Sequence, residues 1–144
     1  MTSLAVRFAV DLARKNCEAL LFIPAPRIEE YERQGRLLIG QENGEPCGFL
    51  IYGNGYPTLK IYQACIQYDA RRHASGLALV DRLKAIAVAQ GRDISLWCAS
   101  DLEANRFWEA VGFRHVARRN GGSRRQRVHF GWRCDLAPSL VSCA

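Results

Sequence analysis

Ile61-Tyr-Gln-Ala-Cys65-Ile-Gln-Tyr-Asp-Ala70-Arg-Arg-His-Ala-Ser75-Gly-Leu-Ala-Leu-Val80-Asp-Arg-Leu83 reads as a buried strand, a tight polar turn and a helix that begins near Ser75. Such a turn delivers several free backbone N–H groups to a helix N-terminus, where they and the helix dipole form an anion site suited to phosphate. Taken alone, Arg71-Arg-His-Ala-Ser-Gly76 serves equally well as a solvated loop with a helix cap.

On either side of this stretch the elements alternate, without repeats or low-complexity tracts. Leu4 to Lys15 has helical spacing, with Leu4, Phe8 and Leu12 joined by Ala5 and Ala9. The Pro24-Ala-Pro26 break separates it from a second amphipathic stretch, Arg27 to Gln34. Leu37 to Ile39 and Phe49 to Tyr52 read as strands, and Asn43-Gly44 between them signals a tight antiparallel connection. The long strand runs from Leu59 to Gln67, and the helix after it from Ser75 to Gln90, with Gly91 at the C′ position. Asp93 to Ala99 is nearly continuously apolar, as expected of a strand buried on both faces beside a parallel neighbour. Ser100-x-x-Glu103 has the form of a capping box that opens the next helix. Val116 to Arg118 and Val128 to Trp132 make a final hairpin around Asn120-Gly-Gly122. The order α, α, β, β, β, α, β, α, β, β predicts an α/β sheet with one parallel strand–helix–strand crossover.

A chain of 144 residues, 49% of them hydrophobic, suits one globular domain over 1–144 with a real core. Arg7 and Asp11 interrupt the apolar pattern at the N-terminus, and no run of about 18 apolar residues occurs, so no signal peptide or membrane span is read and the cytoplasm is expected. Cys17, Cys47, Cys65, Cys98, Cys134 and Cys143 are scattered, with no Cys-x-x-Cys pair and no nearby histidine grouping, which argues against a metal site. Cys65 and Cys98 fall in strands that read as central, as buried free thiols of a reducing compartment would. The net charge of +6 is local: between Arg106 and Arg133 eight arginines face only Glu109, and the rest of the chain is close to neutral. That segment is either a solvated hairpin tip or an electrostatic funnel for an anionic partner.

The spacing Arg71-x-x-Ala74-x-Gly76 resembles the pyrophosphate-binding signature of the GNAT superfamily of acyl-CoA-dependent N-acyltransferases, Gln/Arg-x-x-Gly-x-Gly/Ala, with Ala74 where most members have glycine. A second strand–helix unit, Leu96 to Phe113, resembles the family's closing motif, Asn-x-x-Ala-x-x-x-Tyr-x-x-x-Gly-Phe. Ala104, Gly112 and Phe113 fall in register, Trp108 stands on the tyrosine and Asp101 on the asparagine. Gly48-Phe49 resembles the family's third strand, and the likeness covers about Arg36 to Arg133.

The resemblance implies a mixed, mostly antiparallel twisted sheet flanked by helices, whose single crossover forms the cleft for acetyl-CoA. It implies that Ile66 and Tyr68 offer main-chain groups to the pantetheine arm of the coenzyme A. The N–H groups of Arg72, His73, Ala74, Ser75 and Gly76 would take the pyrophosphate, with charge added by Arg71 and Arg72. A side chain at Gly76 would fill the space that the phosphate needs. The implied activity is transfer of an acetyl group to the amine of a small molecule or a peptide.

Three positions depart from the pattern. Trp108 replaces a tyrosine whose hydroxyl protonates the departing sulfur in many members, and an indole N–H is no practical acid. Lys60 and Leu96 occupy strand positions where members carry a glutamate base. Asp101 replaces the asparagine, while Asn105 lies at i+4 on the same helical face and offers an amide instead, so the resemblance implies Asn105 and Trp108 among the cofactor-binding residues. The nearest substitutes for the acid are Tyr62 and Tyr68, and Tyr62 shares its strand face with Lys60, Ala64 and Ile66. Tyr62 is therefore the catalytic candidate, with packing as the alternative role. His73 and His115 are read as a phosphate donor or structural residues. Glu29, Glu30 and Glu32 offer attraction for an amine or simply a solvated helix face, and the acceptor and oligomeric state, a homodimer included, stay open. The alternative function is a catalytically degenerate GNAT-fold module that binds acyl-CoA or nucleic acid through its arginine-rich hairpin. Against nucleic acid stands the lack of aromatic residues between Arg118 and Arg127 on which bases would stack.

Overall fold

The apolar periodicities resolve into four helices and six strands in a computed structural model that describes residues 2–16, 22–67, 73–120 and 128–137. Helix α1 (Leu4–Lys15) and α2 (Ala25–Arg33) precede strands β1 (Leu37–Glu42), β2 (Glu45–Gly53) and β3 (Leu59–Ile66). Helix α3 (His73–Ala89), strand β4 (Ile94–Ala99), helix α4 (Ala104–Ala110) and strands β5 (Arg114–Asn120) and β6 (Val128–Cys134) complete the order anticipated. The strands lie in the sheet order β1-β2-β3-β4-β6-β5. β3 and β4 run parallel, while β1 with β2, β4 with β6 and β5 with β6 are antiparallel. This is the mixed α/β sheet that the sequence predicts. No helix among the described residues is long and apolar enough to cross a membrane.

The chain divides into two compact units, one of residues Met1–Gly53 with Tyr62–Asp81 and one of Asn54–Ile61 with Arg82–Ala144. In the first, Val6, Ala9 and Leu12 of α1 bury against Ile28 and Tyr31 of α2, Phe49 and Ile51 of β2 and Cys65 of β3. Ser3 fixes the start of α1, its Oγ accepting from the Val6 N–H at 3.1 Å and donating to Glu32 at 2.6 Å, so that one hydroxyl caps one helix and holds the next. The β1–β2 turn places Asn43 at φ 54° and Gly44 at φ 81°, the left-handed pair that a two-residue hairpin requires. A Cβ at Gly40 would press on the Leu79 side chain, so glycine lets α3 sit close on β1.

In the second unit the parallel ladder pairs Leu59 with Ile94, Lys60 with Ser95 and Ile61 with Leu96. Helix α3 ends in the arrangement that Gly91 anticipates: at φ 64° it lets the Arg92 N–H reach the Ala87 carbonyl and its own N–H the Val88 carbonyl. Lys84 donates to the Val111 carbonyl at 2.6 Å, placing a cation at the C-terminal end of α4. The Asp93 carboxylate accepts from Arg133 at 2.6 Å and from the N–H groups of Leu136 and Ala137 at 2.7 and 2.6 Å. Its own carbonyl receives the Leu59 N–H at the head of the ladder.

Some expectations need correction. The capping box does not form: Glu103 is itself helical in φ and ψ, and no side chain caps α4. Helix α3 starts at His73, two residues before Ser75. Helix α2 takes in Ala25 and Pro26, because a proline in the first turn lacks only an N–H that has no helical partner anyway. β5 is far longer than Val116–Arg118 and almost wholly exposed; an outermost strand needs no apolar alternation to pair with one neighbour. Cys47, Cys65, Cys98 and Cys134 are buried free thiols, while Cys17, Cys143 and the hairpin tip with Arg124, Arg125 and Arg127 lie outside the described residues.

Candidate active site

The strand and the helix of the opening stretch are present as β3 and α3, and the turn between them, residues 68–72, lies outside the described residues. The Gln67 N–H donates to the Cys47 carbonyl at 2.7 Å, which ties the end of β3 to β2. Successive N–H groups of a strand point to opposite edges, so that of Ile66 is directed away from β2. Ser75 and Gly76 lie buried in the first turn of α3, whose leading N–H groups have no acceptor within the helix. Tyr68, Arg71 and Arg72 fall outside the described residues, as do the side chains of His73 and Ala74, whose main chain opens α3. Small residues in the first turn of a helix fit a pyrophosphate group, which needs N–H donors and room for close approach.

Tyr62 lies four residues before Ile66 on β3, on the face that carries exposed Lys60. Its side is open to solvent, with 42% of the residue exposed, so it is not a core aromatic. The ring leans over β2, where a Cβ at Gly53 would overlap its hydroxyl, and it meets the Tyr31 ring at 5.8 Å between centroids. Arg27 Nε donates to the Tyr31 hydroxyl at 3.4 Å, and the Arg36 guanidinium lies 5.2 Å from the centre of the same ring. Sequence reasoning missed Arg27, Tyr31, Arg36 and Gly53. The i, i+4 spacing of Arg27 and Tyr31 was visible, but only the packing of Tyr62 gives it a setting.

Asn105 and Trp108 belong to the second unit, on α4. The Asn105 amide donates to the carbonyls of Ala99 and Leu102 at 2.8 and 2.9 Å, and its oxygen accepts from the Trp132 indole at 2.9 Å. Trp108 is buried, its ring between Phe107 at 5.0 Å and Phe113 at 5.3 Å. Leu96 is likewise core, and His115 packs edge-on against Phe130. The basic segment is partly neutralised from outside its own span: Arg133 pairs with Asp93, Arg114 with Asp135, and Arg119 sits 3.9 Å over the Trp97 ring. Among the described residues no group of three or more His, Cys, Asp and Glu could hold a metal ion.

The model of the acetyltransferase (GNAT) family matches residues 5–113, well over half of the chain. The chain belongs to that family. As a GNAT protein it is an acyl-CoA-dependent N-acyltransferase, and acetyl-CoA is its cofactor. Its fold is that of Ard1 from Thermoplasma volcanium, with a TM-score of 0.79 at 17% identity over 92% of each chain. It is similar also to the ribosomal-protein-S18-alanine N-acetyltransferase from Escherichia coli, with a TM-score of 0.75 at 15% identity, over 96% of this chain and 92% of that one. An aminoglycoside 6'-N-acetyltransferase complexed with coenzyme A gives 0.76 at 16% identity, over 93% and 92%. No curated protein sequence is a significant match.

Proposed function

We propose that this GNAT protein transfers an acetyl group to a primary amine of a small molecule or peptide, with the coenzyme held at the junction of β3 and α3. The observation that carries the reading is the pair of small buried residues, Ser75 and Gly76, in the first turn of α3, the next element after β3. The N–H groups of Arg72 to Gly76 and the side chains of Arg71 and Arg72 would take the pyrophosphate, and main-chain groups of Ile66 and Tyr68 the pantetheine arm. When bound, acetyl-CoA supplies the acyl carbon and a thiolate leaving group. The chain's task is then positional: it must present a neutral amine to that carbon, and the proton lost by nitrogen must go to solvent or to a basic group as the C–S bond breaks. Tyr62 is the proposed donor of a proton to the departing sulfur, being a solvent-exposed phenol on the cofactor strand. Buried free thiols are in keeping with a cytoplasmic setting.

Thermal unfolding in the presence of coenzyme A tests the binding half, because a ligand of the native state alone raises the midpoint. Gly76→Glu should abolish that rise without unfolding the protein. Free-thiol release from acetyl-CoA across a panel of amines tests the chemistry. No rise at millimolar coenzyme A in the unaltered protein would refute the reading.

A further inference from the structure

Strand β5 ends the sheet, and among the described residues it pairs with β6 alone. Every second N–H and C=O of such a strand points away from its one neighbour, and these groups are a template for a further ladder. The register shifts between His115 and Ala117 and skips Val116, which leaves a regular run at residues 117–120, opposite residues 128–131 of β6. That run carries Arg118 and Arg119, both exposed, and β5 holds no acid. Arg114, before the skip, is engaged with Asp135, whereas Arg118 and Arg119 form no ion pair with a described residue. The two arginines stand on opposite faces. Arg118 lies across from Phe130, on the face where Trp132 meets Asn105 of α4. Arg119 lies on the other face, its guanidinium 3.9 Å from the centre of the Trp97 ring. Gly131 makes room for that ring, since a Cβ there would stand 3.1 Å from its Cζ3 and 3.2 Å from the Ala117 Cβ. A guanidinium resting on an indole has given up much of its freedom, while its N–H fork stays open to an anion.

We propose that the outer edge of β5 accepts an extended segment of a partner protein as a seventh strand, two adjacent acidic residues of which pair with Arg118 and Arg119, one on each face. Consecutive side chains of a strand alternate between faces, so neighbouring acids have the spacing that the two arginines set. A second copy of β5 is a poor occupant, because like charges set across a ladder repel. Nucleic acid is a poor one too: Arg119 covers one side of the Trp97 ring and Gly131 the other, so that ring offers no face to a base. Arginines on an edge also deter aggregation, a role that needs no partner. The inference stands apart from the acetyltransferase reading and uses only the sheet edge and its charges.

The probe is a short fluorescein-labelled peptide of alternating threonine and valine with a central Glu-Asp pair, followed by fluorescence anisotropy with the full chain. It should bind at least about tenfold tighter than the same peptide with Lys-Lys at its centre. It should exceed by a similar factor a version with proline on either side of the acidic pair, which keeps the charge and removes ladder donors. Arg118→Glu combined with Arg119→Glu should transfer the preference to the Lys-Lys peptide. Arg118→Glu alone, which leaves the Trp97 stack in place, should weaken the acidic peptide by about threefold with Tm unchanged. Backbone amide exchange at residues 117–120, followed by NMR, should slow when the acidic peptide is bound. Equal binding of the acidic and basic peptides, equal binding of the proline version, or unchanged exchange at residues 117–120 overturns the added strand. So does a single-stranded oligonucleotide that displaces the peptide and binds more tightly, or a dimer in sedimentation velocity that Arg118→Glu dissociates.

Discussion

The Tyr62 hydroxyl lies against Gly53 so closely that a single methyl group at position 53 would occupy its place. Position 53 thus controls where a phenol on the neighbouring strand can be. Gly53→Ala should swing the Tyr62 ring away at small cost in stability, because the overlapping atoms are the far end of a side chain. Turnover should fall as it does in Tyr62→Phe, by more than about tenfold, with coenzyme A affinity unchanged in both. Equal loss in the two variants and in their combination, measured as kcat at saturating coenzyme, is the expected result; losses under about twofold would return Tyr62 to a packing role.

A Cβ at Gly48 would stand 2.8 Å from the Cys65 carbonyl oxygen and would overlap the Ile66 side chain. The side chain can rotate, but the carbonyl belongs to the strand and must move with it. Gly48→Ala should therefore displace the end of β3, costing about 1–3 kcal/mol in stability and weakening coenzyme A several-fold. Urea unfolding and titration calorimetry separate the two effects.

Asn105 satisfies two carbonyls and the buried Trp132 indole with one amide. Asn105→Ala strands that indole N–H, and a loss of about 2 kcal/mol, or about 5 °C in Tm, is expected. Asn105→Asp keeps an acceptor for Trp132 but turns an oxygen towards the carbonyls of Ala99 and Leu102, so it should fare no better in thermal unfolding.

Burial alone would raise the Asp93 carboxyl, but the N–H groups of Ala137 and Leu136 and the Arg133 guanidinium more than reverse this and leave it below its ordinary value near 3.8. The hydrogen bonds of Arg114 lower Asp135 in the same direction. A carboxyl depressed in the folded state contributes stability that is complete above the unfolded value and is lost as pH falls through the folded one. Urea midpoints should hold steady near neutrality and drop below about pH 4. Asp93→Asn should flatten that acid slope, and an unchanged slope would remove Asp93 from the account.

Where local chemistry decides an element, the sequence was readable. The α1 bounds follow from its apolar spacing, Asn43-Gly44 demanded the two left-handed residues found, and Gly91 forecast the helix end beyond Ala89. Reading failed where a remote partner decides. Ser100-x-x-Glu103 has the letters of a cap, yet the Ser100 N–H that the Glu103 side chain would have to take donates to the Val128 carbonyl of distant β6 at 2.9 Å instead. The pairing of Arg133 with Asp93 spans 40 residues, so the arginine-rich segment looked more uncompensated than it is. At the candidate site the strand β3, the helix α3 and the strand face of Tyr62 were legible. Arg27 and Arg36 were not, because nothing in their spacing shows that both reach one buried ring.

Tyr31 is a wall of the hydrophobic cluster as well as the surface on which Arg27 and Arg36 rest. A ring with both duties has few permitted replacements, since any smaller residue opens a cavity among Val6, Leu12 and Ile28. The guanidiniums around it are under no such constraint: Arg27 is exposed and Arg36 is half-buried. Charge at this corner can therefore vary at positions 27 and 36, while position 31 stays fixed by folding. Two chains with the same tyrosine and different residues at those two places would share a scaffold and differ in the charge they offer to solvent.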